Sequence, residues 1–115
     1  MQIDVMEHES ELLATIQVDF AANRVSVTNL SDKLFFIPFG VNTSPTMQDL
    51  YNYLEWRCFP RARANCKQLL SDMNLSAYDP LAICRVTHGR QHEDYVWLRF
   101  DGEQVDYEKD IKLRD

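Results

Sequence analysis

Leu12-Leu13-Ala14-Thr15-Ile16-Gln17-Val18-Asp19-Phe20 decides the fold class. Leu12, Ala14, Ile16, Val18 and Phe20 share one face of an extended chain, while Thr15, Gln17 and Asp19 share the other. That alternation predicts a half-buried strand. The connection Ala21-Ala22-Asn23 leads into residues 24–28, which alternate again with Val25 and Val27 inward. The pair reads as a β-hairpin, with Asn23 supplying the positive φ of its turn. Residues 34–39 form an apolar run broken by Pro38. Proline cannot donate to a ladder, so a third strand here must be short or lie at a sheet edge.

Helical signals begin after residue 40. Ser44 or Thr46 can cap, Pro45 suits a first turn, and Asp49 stands three residues beyond Thr46. Met47, Leu50, Tyr51, Leu54 and Cys58 then share one helical stripe. Pro60 stops this helix near Cys58. A second helix is expected from about Arg61 to Met73, with Asn74 as its left-handed terminator, and Asp79-Pro80 opens a third that ends near Gly89. Residues 94–100 return to alternation, Asp101-Gly102 marks a turn, and residues 105–107 could add one more short strand. Strands grouped ahead of helices predict an α+β fold: a small antiparallel sheet covered on one face by about three helices.

Composition bounds the function. At 115 residues with 45% apolar side chains, the chain is long enough for one self-sufficient core. No apolar run reaches the ~20 residues that span a bilayer, and the acidic start is unlike a secretory signal. Cys58, Cys66 and Cys84 are an odd count, so free thiols in a reducing, cytoplasmic compartment are expected. The net charge of −6 is uneven. Residues 1–11 carry −4 and residues 101–115 carry −3, against +1 for residues 12–100. The expected organisation is therefore one domain over 12–100 flanked by two acidic segments. Such a balance argues against direct nucleic-acid or membrane binding.

Candidate chemistry is sparse. Cys84, His88 and His92 fall at helical spacing of four, but Gly89 should end the helix and no fourth ligand stands nearby, so no metal is expected. Cys84 and His88 lack an orienting third group, Glu93 and Asp94 point apart, and no glycine-rich phosphate loop exists. No catalytic residue or cofactor follows. Arg57, Arg61, Arg63 and Lys67 with Trp56 and Phe59 could hold phosphate or a base. The structural alternative has Arg57 and Arg63 binding carbonyls at the two helix ends that meet at Pro60 and pairing with Glu55 or Asp72. Trp97, in mid-strand, is expected in the core. Tyr51, Tyr53, Trp56 and Tyr78 are too many for one stripe, so some must face outward as interface anchors.

The stretch Leu54-Glu55-Trp56-Arg57-Cys58-Phe59-Pro60-Arg61-Ala62-Arg63, followed by Leu69-Leu70 and Leu75, then Thr87-His88 and Asp94-Tyr95-Val96-Trp97, resembles the N-terminal subdomain of HipA-like serine/threonine kinases, in its divergent Firmicutes form. The likeness covers residues 12–100. It implies a small α+β module that packs against a kinase, without the kinase's own catalytic elements. Glu55, Arg57, Pro60, Arg63, His88, Asp94 and Trp97 match its pattern and read as fold-defining.

Three functions compete. The first is a non-enzymatic regulator that docks on and restrains a bacterial partner, a HipA-like kinase. The second is a phage or mobile-element inhibitor of the anti-CRISPR type, whose acidic ends block a nucleic-acid-processing enzyme. The third is a small hydrolase or redox protein using Cys84 and His88. For the binding readings the contact residues are Glu7, Glu9, Glu11, Tyr53, Trp56, Arg61, Tyr78, Glu103, Asp106 and Glu108.

Overall fold

The computed structural model describes residues 1–113. Four strands, β1 (Gln2–Glu7), β2 (Glu11–Asp19), β3 (Arg24–Asn29) and β4 (Val96–Phe100), form one antiparallel sheet in the order β3-β2-β1-β4. Three helices, α1 (Met47–Trp56), α2 (Cys66–Asp72) and α3 (Pro80–Thr87), lie between β3 and β4 in sequence. This is the α+β architecture that the alternation and helix caps predict. The Asn23 turn joins β2 to β3 with φ of 53°, as its short polar side chain allows.

Residues 1–11 are not a flanking segment. They hold β1, which pairs with both β2 and β4 and buries Ile3, Val5 and Met6. The acidic residues in QIDVME concealed it, because Asp4 is buried rather than solvated. Its Oδ2 accepts from Arg99 Nε and Nη2 at 3.1 and 2.8 Å. Its Oδ1 accepts from Thr15 Oγ1 and Gln2 Nε2, both at 3.1 Å. Thr15 and Arg99 stand directly opposite Asp4 in the register, so the sheet itself assembles the partners that a buried carboxylate requires.

A bulge changes the faces of β2. Val5 pairs with Ala14 but Met6 pairs with Leu12, leaving Leu13 as the extra residue. Leu13, Ala14, Ile16 and Val18 therefore enter the main core with Ile3, Val5, Val96, Leu98, Phe100 and, from the helices, Leu50, Leu54 and Cys84. Leu12 instead joins Met6, Trp97 and Ile111 on the opposite face, and Phe20 is half exposed rather than inward. The C-terminal segment covers this second cluster. Residues 105–107 form no strand; Tyr107–Ile111 is a single π-helical turn capped by Asp106, and Val105, Tyr107 and Ile111 pack on Met6 and Trp97. The indole nitrogen of Trp97 donates to the His8 carbonyl at 2.7 Å, which completes its burial. Arg114 and Asp115, counted with the acidic C-terminal segment, lie outside the described residues.

Residues 34–39 also form no strand. They coil in consecutive turns, and Phe36 and Phe39 pack on the core while Phe35 is 91% exposed. The capping box at Thr46 and Asp49 forms as its spacing requires. Helix α2 begins at Cys66 rather than Arg61, with residues 61–65 in turns, and Asn74 takes φ of 60° behind it. Asp79 caps α3 and Pro80 occupies its first turn.

The two edges of the sheet differ. Along β4 every outward-facing backbone group has a partner within the chain. The Val96 amide donates to Asp94 Oδ1, and the Val96 carbonyl accepts from Arg57 Nη2. The Leu98 amide donates to the His88 carbonyl, and the Leu98 carbonyl accepts from His88 Nδ1 at 3.1 Å. The Phe100 amide and carbonyl are both bound by Glu103. Along β3 no such contacts exist among the described residues.

Candidate functional site

Helix α1 presents its buried stripe at Leu50, Tyr53, Leu54 and Arg57, a spacing of three and four that includes a charge. Trp56 falls off that stripe and is 60% exposed. Its ring lies 6.3 Å from Tyr53, which in turn lies 5.9 Å from Phe39. On one side of the indole is an open concavity of about 510 Å³, lined by Leu34, Phe35, Pro38, Phe39, Tyr53 and Trp56. On the other side is a second, of about 580 Å³, lined by Asn52, Trp56, Cys58, Pro60, Arg61 and Tyr78. A third, bounded by Phe59, Arg63, Arg90 and His92, also reaches Trp56. The exposed side chains Leu34, Phe35 and Trp56 thus form one apolar face interrupted by shallow recesses.

Cations rim this face. The Arg61 guanidinium stacks 4.2 Å from the Tyr78 ring and is bonded to Glu55 at 2.9 Å. The Tyr78 hydroxyl donates to the Phe59 carbonyl at 2.6 Å, and burial pushes its phenol up to about 12. Arg63 and Lys67 are exposed, with no side-chain partner among the described residues. Arg57 is different in kind. Its side chain is 1% exposed and binds neither the carbonyls of the helix ends that meet at Pro60 nor Glu55. Nε donates to the Gly89 carbonyl at 2.8 Å, Nη1 and Nη2 hold the Asp94 carboxylate at 2.8 and 3.0 Å, and Nη2 also reaches the Val96 carbonyl. Burial works against the Arg57 charge, yet the bonds to Asp94 leave the guanidinium above its ordinary value. Gly89 sits against this network: a Cβ there would meet Leu98 at 3.0 Å and Arg57 at 3.3 Å.

The predicted contact residues divide between places. Trp56, Arg61 and Tyr78 come together on the aromatic face. Tyr53 does not reach solvent as an anchor; it is 8% exposed, and burial pushes its phenol well up. Glu7 is also buried, its carboxylate held by Lys33 at 3.2 Å, and Lys33 lies 3.6 Å from Glu11 as well. Glu9 is exposed beside them. Glu103 is bound to the Phe100 amide, Asp106 caps the π-turn, and Glu108 pairs with Lys112. Several carboxylates of the two acidic stretches therefore already have partners inside the fold. Sequence reasoning missed Phe35 and Leu34, because their apolar run reads as a strand.

The Cys84, His88 and His92 stripe does not form. Helix α3 stops at Thr87, His88 turns to φ of 58°, and His88 Nδ1 points to β4. Among the described residues no cluster of three metal-binding side chains occurs. Cys84 is buried instead against Cys58, with the sulfurs 3.7 Å apart and both directed at the Leu54 carbonyl, at 3.4 and 3.1 Å. This contact holds the Cys58 thiol below its ordinary range, whereas the same contact and burial push Cys84 well up. Alkylation with iodoacetamide at neutral pH is expected to modify Cys58 before Cys84. Peptide mass spectrometry of a time course checks it; earlier labelling of Cys84 contradicts the geometry.

The chain matches no protein-family model, no curated protein and no solved structure.

Proposed function

We propose that this chain is a non-enzymatic protein-binding module that docks on and restrains a partner protein through the face centred on Trp56. The observation that carries this reading is the exposure of Trp56, Phe35 and Leu34 on one surface, beside the Arg61–Tyr78 stack. Solvated aromatic side chains with arginine at the rim are the composition of interface hot spots. The candidate nucleophile and its base are both engaged elsewhere, Cys84 with Cys58 and His88 with β4, which favours binding over bond making. The resemblance to the N-terminal subdomain of HipA-like kinases names the partner to test first.

Calorimetry with a HipA-like kinase encoded in the same genome tests the reading. Trp56→Ala is expected to weaken binding by about thirtyfold or more, the equivalent of about 2 kcal/mol for a hot-spot residue. Its thermal midpoint should stay near that of the unmodified protein, since the side chain is mostly in solvent. Undiminished binding by Trp56→Ala and by Phe35→Ala would place the contact elsewhere.

A further inference from the structure

We propose that β3 pairs antiparallel with the β3 of a second copy of this chain across a two-fold axis, joining two four-stranded sheets into one. The Val18 amide donates to the Met1 carbonyl, so the backbone of Val18 faces β1. Its neighbours Gln17 and Asp19 must then face β3, where they stand opposite Ser26 and Arg24. The Leu13 carbonyl accepts from the Leu30 and Ser31 amides, in the same sense. Val25, Val27 and Asn29 consequently turn their amides and carbonyls away from the sheet.

Nothing in the chain meets them among the described residues, in contrast with β4, where Asp94, Arg57, His88 and Glu103 occupy each outward group. Strand β3 also lacks the devices that blunt a free edge: it contains no proline, no lysine and no bulge.

The charges identify the occupant. Arg24 stands at one end of β3 and Asp32 just beyond the other, both exposed and both without a side-chain partner among the described residues. An exposed apolar side chain, Leu30, follows the strand at the Asp32 end. An antiparallel copy lays one molecule's Arg24 end along its partner's Asp32 end. About Val27 each Arg24 falls opposite the partner's Leu30 with Asp32 on the diagonal two residues on, within the reach of an arginine, and the contact occurs twice by symmetry. Parallel self-pairing would set like against like. A two-fold through Val27 puts Val27 opposite its own equivalent and Val25 opposite Asn29, so outward-facing backbone meets outward-facing backbone.

Sedimentation of the full chain from micromolar to several hundred micromolar tests this. The unmodified protein is expected to pass from monomer to dimer. Val27→Pro removes an amide that points outward, so it should be monomeric, with only the modest fall in thermal midpoint that losing the Val27 side chain from the core margin brings. Ser26→Pro removes an amide bonded to β2 and should instead lower the midpoint sharply. Arg24→Glu and Asp32→Arg should each weaken the dimer by about tenfold, because the axis doubles each unfavourable contact, and the two together should restore it. Trp56→Ala should dimerise normally, which separates this contact from the partner-binding face. A protein monomeric throughout the range, a dimer that survives Val27→Pro, or a double charge reversal no tighter than the single ones overturns the proposal.

Discussion

Deleting residues 1–7 is expected to abolish cooperative folding. These residues form β1, the strand that joins β2 to β4, and without it the sheet divides into a hairpin and an isolated strand. Ile3, Val5 and Met6 are at most 4% exposed. Full burial contributes about 1.5–3 kcal/mol for each such side chain. Together that approaches the ~5–15 kcal/mol that separates a whole domain from its unfolded state. Asp4 leaves as well, so Arg99 loses its carboxylate. Urea titration followed by circular dichroism should show no sigmoidal transition for the truncated chain. A transition with the original midpoint would show that β1 is dispensable. The acidic N-terminal residues must therefore be probed by substitution, for instance Glu9→Gln with Glu11→Gln, because truncation would unfold the surface under test.

Replacing Arg57 by Ala should cost about 3–5 kcal/mol, the usual result of removing one partner of a buried ion pair. The loss is large because one guanidinium serves three separated sites: the Gly89 carbonyl after α3, the Asp94 carboxylate, and the Val96 carbonyl at the start of β4. Arg57→Lys should fail to rescue, since a single ammonium cannot span acceptors that a planar fork reaches together. Asp94→Ala should also be costly, because it leaves a guanidinium that is 1% exposed without its counter-charge, held only by the Gly89 and Val96 carbonyls. The double variant should fall well short of the summed single effects, as residues in one network are not independent. Urea midpoints at constant slope measure all three. Additive losses would show that Arg57 and Asp94 act separately.

Local signals were legible and remote ones were not. Thr46 with Asp49, Asp79 with Pro80, and the left-handed Asn23 and Asn74 are decisions made within a few residues, and each is readable in the chain. Asp4 is the opposite case. Its charge argues for solvent until Arg99, 95 residues away, arrives beside it. Arg57 likewise breaks the apolar stripe of α1, so the stripe reads through Tyr51 in place of the buried Tyr53, while Cys58 does pack on the core. The Leu13 bulge inverted part of β2 for a reason visible only in the pairing with β1. On the aromatic face, Trp56 was recoverable as an aromatic off the helical stripe. Phe35 was not, since Pro38 alone is equally consistent with a short edge strand and does not announce that residues 34–39 coil.

The closure of β4 sets a limit on what edge pairing could build. A sheet receptive on both flanks can recruit molecules without end, and that is the route to fibrils. Here His88, Arg57, Asp94 and Glu103 act as a stopper on one flank. Whatever joins at β3, the far side offers no template for the next arrival, so growth terminates at a finite, soluble particle. The stopper resists single changes, because the His88 carbonyl and the Glu103 amide hold Leu98 and Phe100 through the backbone, where no side-chain substitution reaches.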